Sequence, residues 1–163
     1  MDSYIIDTNV LIVANDKCEN ADFKEVHACV CFLNDIKECG KHLSIDLLGL
    51  IFKEYFAHVN RSGQPGFGDA FAKWFWHNQW NESFCEQVEI TEDGAREFLE
   101  FPPDKSLAKF DLSDRKFVAV AVKSKFDAII CNASDSDWWD FKEAFEKLGV
   151  KINFLCPELI KKR

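Results

Sequence analysis

The sequence predicts an α/β fold, specifically an α/β/α sandwich with a central parallel sheet. Short apolar runs alternate with longer amphipathic segments along its 163 residues, which is the pattern of parallel strands joined by helical crossovers. Acidic residues follow two of the apolar runs, where ligands of parallel sheets bind. Because we find no linker, repeat or low-complexity segment, residues 1–163 are predicted to form a single domain.

Five apolar runs are predicted to be strands. Each is short, is bounded by turn residues and carries β-branched or aromatic side chains. In chain order they are residues 3–6, 41–45, 83–90, 127–131 and 151–155.

Seven segments between these strands are predicted to be helices. The first begins at a cap supplied by Thr8 or Asn9, the third begins at Asp46 and ends at Gly63, and the sixth begins at Ser113. Their ranges are 9–15, 20–40, 46–63, 69–80, 91–101, 113–125 and 137–149.

The composition narrows the classes of function and location. The net charge of −8 argues against broad, non-specific binding to nucleic acids or membranes, although bound cations could create a local nucleic-acid site. The seven cysteines include no CxxC pair, which disfavours a zinc ribbon or a disulfide framework and predicts reduced thiols in a cytoplasmic protein. No apolar run approaches the length of a membrane span, and the N-terminus does not read as a signal peptide.

Acidic residues recur where the predicted strands end. Asp7 follows the first strand directly, Asp135 and Asp137 follow the strand at 127–131, and Asp114 opens the helix that precedes that strand. Glu54 lies on a partly apolar face of the 46–63 helix, where an unpaired charge is costly. Carboxylates are the ligands that Mg²⁺ and Mn²⁺ prefer, and two such ions can activate a water for phosphodiester displacement.

Each of these acids also has a simpler structural interpretation. Asp7 alone could be a helix cap, and Asp114 could interact with the helix dipole. We prefer Asp135 as the direct ligand, while Asp137 caps the next helix or binds metal through water. Asp111 and Asp140 are interpreted as surface or capping residues.

Four motifs, in order, resemble the PIN domain family over residues 4–155. They are "YIIDTNVLI", "FKEYF", "DRKFVAVAV" and "AIICNASDSDW". The resemblance implies an α/β/α sandwich with a Mg²⁺- or Mn²⁺-dependent nuclease site that cuts RNA. It also implies a possible role as a VapC-like toxin with an antitoxin partner, and we expect a homodimer.

The resemblance implies which residues of this chain would form the catalytic metal site. The four catalytic and metal-binding acids would be Asp7, Glu54, Asp114 and Asp135, with Asp137 as an additional metal ligand. Thr8 or Asn9 would match the polar support of the family. We add Ser113 and Asn132, which neighbour the acids in sequence, to the supporting residues.

Two other classes of function are kept as alternatives. The first is a catalytically silent PIN-fold interaction module that uses the aromatic 69–80 helix, although its helical spacing also fits core packing. The second is a receiver-like phosphoacceptor domain, which would need a lysine after a late strand that "INFLCPEL" does not offer. The basic residues Arg115, Lys116 and Lys123 are interpreted as a solvated helix face rather than a phosphate-binding stripe.

Overall fold

The computed structural model, which describes residues 1–19 and 21–160, has a central sheet of five parallel strands flanked by helices. The order of strands across the sheet is β3-β2-β1-β6-β7. The strands are β1 Asp2–Ile6, β2 Leu43–Asp46, β3 Cys85–Val88, β4 Glu92–Asp93, β5 Glu97–Phe98, β6 Asp127–Asn132 and β7 Lys151–Phe154. The predicted α/β class and the central parallel sheet are therefore confirmed.

Helices pack on both faces of this sheet, an arrangement consistent with an α/β/α sandwich. The helices are α1 Thr8–Ala14, α2 Phe23–Glu38, α3 Leu50–His58, α4 Phe67–Asn78, α5 Arg115–Lys123, α6 Ser136–Asp140 and α7 Lys142–Lys147. On β1, the Tyr4 ring meets Phe32 of α2 with centroids 6.0 Å apart. The neighbouring Ser3 hydroxyl bonds Ser44, whose own hydroxyl meets Ser124 at the end of α5. Because successive strand residues point to opposite faces, α2 and α5 lie on opposite sides.

The pairing of β1 with β6 brings their carboxyl ends together. Ile6 lies opposite Cys131, and the Asp7 amide continues the ladder with a 2.9 Å hydrogen bond to the Cys131 carbonyl. Asp7 and Asn132 therefore lie side by side at the edge where ligands of parallel sheets bind.

The short helix predicted over 91–101 is wrong. This segment contains the antiparallel pair of β4 and β5. The Asp93 carboxylate accepts from the amides of Ala95 and Arg96, which closes a tight turn around Gly94. The turn-forming chemistry of Asp-Gly outweighs the weak helical pattern.

The helix predicted over 46–63 is shorter at both ends. Asp46 is the last residue of β2, but it still caps α3, because its carboxylate oxygens accept from the amides of Leu50 and Ile51 at 2.7 and 2.9 Å. At the other end α3 stops at His58, since the buried Asp69 carboxylate accepts from the Asn60 amide at 2.7 Å. Glu54 keeps its predicted place in the middle of this helix.

The two C-terminal helical predictions also change. Ser113 is not the cap of α5, because its amide and hydroxyl both bond the Asp111 carboxylate in a 3₁₀ turn that precedes the helix. The helix predicted over 137–149 is divided into α6 and α7 at Phe141. The other predicted elements are present, with ends shifted by a few residues.

Aromatic side chains fill much of the core. In α4, Phe71 and Phe75 are buried, whereas Trp76 on the same helix and Trp80 just beyond it are exposed. All seven cysteines are free thiols. Among the residues described, no helix has the length and apolar composition that crossing a membrane requires.

Candidate metal centre

Three acids from distant parts of the sequence meet at the carboxyl edge of the sheet. Asp7 lies between β1 and α1, Glu54 lies within α3, and Asp114 directly precedes α5. One carboxylate oxygen from each lies within 4.8 Å of the other two. The fold therefore brings together three of the four acids that are predicted to be catalytic.

Asp7 is the most deeply buried of the three, with 3% of its surface exposed. The Asn132 amide donates to its Oδ2 at 2.6 Å. Burial raises the pKa of the Asp7 carboxyl well above its usual range, and the nearby charges of Asp114, Asp135 and Glu54 raise it further. Within residues 1–19 and 21–160, this carboxylate forms no ion pair with a basic side chain.

Glu54 has two partners that fix its carboxylate. Thr8 donates its hydroxyl to Oε1 at 2.7 Å. Oε2 forms an ion pair with the ammonium of Lys116, which also donates to the Ser113 carbonyl. Lys116 therefore belongs to the centre, and its interpretation as part of a solvated helix face is wrong.

Asp114 is held at the start of α5 by its neighbour Arg115. The buried Arg115 guanidinium donates to the carbonyls of Phe110, Ala108 and Leu107 and lies over the Phe101 ring. Burial raises the pKa of Asp114 to about 7, with further contributions from the charges of Glu54, Asp111 and Asp135. Arg115 is thus an anchor for the loop before α5 and not a solvent-facing residue.

Asp135 lies beside this group of three and not within it. Its Oδ1 accepts from the Asp137 amide at 2.8 Å, so Asp135 caps α6 and the capping role suggested for Asp137 is wrong. The Asp135 amide bonds the Asn132 side chain at 2.9 Å. Its charge still raises the pKa of both Asp7 and Asp114, which places it close to the centre. Asp137 lies in the first turn of α6.

The supporting residues divide into two groups. Thr8 and Asn132 bond the acids directly. Asn9 accepts from the Ala133 amide at 3.3 Å, which ties α1 to the loop after β6. Ser113 contributes its carbonyl, which accepts from Lys116, while its hydroxyl bonds Asp111.

The sequence contains a signal for the role of Lys116. Arg115 and Lys116 occupy the first turn of α5, where the helix dipole disfavours positive charge. Two basic residues at a helix N-terminus indicate that some other interaction holds them there. Here Lys116 is held by the Glu54 carboxylate, and Arg115 is held by the backbone carbonyls before α5.

The donor set fits a hard divalent cation. All three converging groups are carboxylates, which suit Mg²⁺ or Mn²⁺. When ionised they carry three negative charges, and Lys116 supplies one positive charge against them. Burial, together with this imbalance, raises the pKa values of Asp7 and Asp114, and a bound dication would relieve that cost.

Removal of the Lys116 charge is expected to tighten metal binding. Lys116 pairs with Glu54, so in Lys116→Met a dication no longer competes with the ammonium for that carboxylate or is repelled by it. We expect Mn²⁺ affinity, measured by calorimetry, to rise by about tenfold, because relief of ~1.4 kcal/mol of repulsion lowers the dissociation constant by that factor. Lys123→Met, at the exposed end of the same helix, is the control. Weaker Mn²⁺ binding by Lys116→Met would contradict this role.

Stability without metal is expected to fall as the pH rises from 5.5 to 8. Burial raises the pKa of Asp114 to about 7 in the folded protein, well above the ordinary range of an aspartate, so the folded state binds more protons than the unfolded chain within this window. The free energy of unfolding then decreases with pH. Mn²⁺ should stabilise the protein more at pH 8, because it needs deprotonated ligands. Melting temperatures measured across this pH range in EDTA and in Mn²⁺ check both the fall in stability and the effect of the metal. In Asp114→Asn, the melting temperature in EDTA should depend less on pH.

Comparisons with known proteins give no match to this chain among family models, curated proteins or solved structures.

Proposed function

We propose that this chain is a Mg²⁺- or Mn²⁺-dependent endoribonuclease of the PIN type. The observation that carries the proposal is the convergence of Asp7, Glu54 and Asp114 at the carboxyl edge of a parallel sheet. The motif resemblance names these same acids, and it implies the same kind of sheet. Agreement between motif order and three-dimensional position supports the PIN assignment more than either alone.

The residues of the centre have distinct parts in this proposal. Asp7, Glu54 and Asp114 would hold the metal, which would supply an activated water and stabilise charge on the phosphate. Asn132 and Thr8 orient the carboxylates of Asp7 and Glu54 through their hydrogen bonds. Asp135 stays the proposed fourth acid and Asp137 the proposed additional metal ligand, both positioned by the capped start of α6.

RNA is the proposed substrate because the motif resemblance implies it, and metal charge, rather than the protein surface, would attract its phosphates. The protein carries a net charge of −8, so binding should depend on the dications and on a defined site. A toxin role with an antitoxin partner, and a homodimeric state, stay predictions of the resemblance. Growth arrest on expression, relieved by a neighbouring antitoxin gene, would support the toxin role.

The direct test is metal-dependent cleavage of matched oligonucleotides. We expect the chain to cut single-stranded RNA in Mn²⁺ and not in EDTA, and to cut DNA of the same sequence more slowly. Asp114→Asn should lose this activity. Asp127→Asn, at the opposite end of β6, should retain it. Absence of Mn²⁺-dependent cleavage of any RNA by folded protein, at stoichiometric concentration, would overturn the proposal.

The exposed tryptophans favour the interaction module as a second candidate. Trp80 is 66% exposed and Trp76 is 44% exposed, and aromatic side chains are enriched at protein interfaces. Concentration-dependent association, measured by ultracentrifugation and lost in Trp76→Ala and Trp80→Ala, would support it. This candidate replaces the nuclease if the protein also binds no Mn²⁺.

A further inference from the structure

Helix α2 carries a stripe of exposed side chains on the face that points away from the sheet. Phe23, His27 and Cys31 follow one another at intervals of four residues, so they lie on one side of the helix. Phe23 is 81% exposed, and His27 and Cys31 are exposed as well. The opposite side of the helix is fixed in the core by Leu33 and Ile36. The stripe is therefore held on a packed helix and faces solvent.

The thiol of Cys31 and the imidazole of His27 are in contact. Cys31 Sγ lies 3.5 Å from His27 Nε2 and 3.9 Å from Nδ1. The Phe23 ring stacks on the imidazole with centroids 6.1 Å apart and planes at 18°, which limits the orientations of His27. A large apolar ring in water is unfavourable, so Phe23 would gain from being covered by another surface.

The separation of these two ligand atoms fits a zinc ion. Zinc bonds of about 2.3 Å to sulfur and about 2.1 Å to nitrogen, at a roughly tetrahedral angle, place the two atoms about 3.6 Å apart. A thiolate and an imidazole are also softer ligands than the carboxylates of the candidate metal centre, so they favour Zn²⁺ over Mg²⁺ or Mn²⁺. The pair therefore differs from that centre in both position and chemistry.

His27 and Cys31 supply two of the four ligands that a structural zinc ion takes. In the described part of the chain, no third His, Cys, Asp or Glu ligand atom lies within 4.8 Å of both. Asp35, one turn further along α2, is already bound by the Cys39 thiol and the Lys41 ammonium. A full set of protein ligands then requires another chain, and a two-fold axis would bring the same pair from a second copy.

We propose that a Zn²⁺ ion joins two copies of this chain through His27 and Cys31 of each. The two thiols lose their protons to solvent on binding, and the two imidazoles bind in their neutral form. The exposed Phe23 rings lie one helical turn from the ion, where contact between the two α2 helices would cover them. This inference is independent of the proposed nuclease function.

Ultracentrifugation in Zn²⁺ and in EDTA tests the zinc-linked dimer. The reductant TCEP is present throughout, which excludes a disulfide between copies. We expect wild-type protein to bind one zinc ion for two chains, with a dimer dissociation constant at least about a hundredfold lower than in EDTA. Cys31→Ser and His27→Ala should show no effect of zinc. Cys18→Ser, which changes another exposed thiol, and His27→Cys, which restores a zinc ligand, should keep the effect.

Cobalt distinguishes this site from the three converging acids. Co²⁺ bound by thiolates gives an intense charge-transfer absorption in the near ultraviolet, which carboxylate ligands do not give. We expect this absorption in wild-type protein and in Asp7→Asn, and its loss in Cys31→Ser.

Equal association in Zn²⁺ and in EDTA would overturn the proposal, and so would binding of one zinc ion per chain by monomers. An effect of zinc that persists in folded Cys31→Ser would show that the sulfur is not a ligand. Cobalt binding to wild-type protein without thiolate absorption would lead to the same conclusion.

Discussion

Asp7→Asn is expected to abolish Mn²⁺-dependent cleavage of RNA while leaving the protein folded. Asp7 is the most buried of the three converging acids and sits where β1 ends. An amide has nearly the same shape, and its oxygen can still accept the 2.6 Å hydrogen bond from Asn132. It cannot supply the negative charge that a hard dication requires. We expect a loss of cleavage of at least about a thousandfold, the scale of removing a main source of charge stabilisation.

The stability of the same variant separates a metal-ligand role from a structural one. Because burial raises the pKa of Asp7, the ionised carboxylate destabilises the metal-free fold, and the neutral amide removes that cost. Asp7→Asn should melt at the wild-type temperature or higher in EDTA, and Mn²⁺ should no longer raise it. Asp2→Asn, at the exposed start of β1, should behave as wild type. Cleavage by Asp7→Asn at the wild-type rate would show that Asp7 is not a ligand.

Trp138→Ala is expected to cause the largest loss of stability. The Trp138 side chain is fully buried in α6 and packs edge-on against Phe110 with ring centroids 4.9 Å apart. It also contacts Phe145 and Phe117. Truncation of such a side chain leaves a cavity that typically costs about 3–5 kcal/mol. Urea denaturation at pH 7 measures this difference.

Two further variants test the cause of that loss. The indole N–H of Trp138 has no hydrogen-bond partner among the described residues, and leaving a buried donor unsatisfied is itself costly. Trp138→Phe removes this donor and keeps most of the packing, so it should cost much less than Trp138→Ala. Trp139→Ala, at the half-buried neighbour that packs on Phe154, should also cost less. A loss in Trp138→Phe as large as in Trp138→Ala would contradict this account.

The periodicity and the turn residues of the sequence predict the sheet and most helices. Strands such as 127–131 are recognisable because parallel strands are short and apolar, and Asp7 is recognisable because it interrupts the first of them. Periodicity predicts a helix where the hairpin at 92–98 lies, because it takes no account of the turn that Asp93 closes through its hydrogen bonds to Ala95 and Arg96. The early end of α3 likewise depends on Asp69, which lies on another helix.

In the candidate metal centre, too, local sequence predicts some features and contacts between distant residues decide the others. The sequence predicts Asp7 and Asp114 from their places at a strand end and a helix start, and Glu54 from its partly apolar helix face. The pairing of Lys116 with Glu54 links residues far apart in sequence. The place of Lys116 in the first turn of α5 indicates a partner, but only the folded structure shows that this partner is Glu54.

The location of Mn²⁺ in crystals of the protein tests the central claim most directly. Crystals soaked in Mn²⁺ and measured at the manganese absorption edge would reveal the ion by its anomalous scattering. We predict a peak bound by carboxylate oxygens of Asp7, Glu54 and Asp114, with Lys116 displaced from Glu54. A fully soaked crystal with no peak between these three carboxylates, or with manganese bound only elsewhere, would contradict the account.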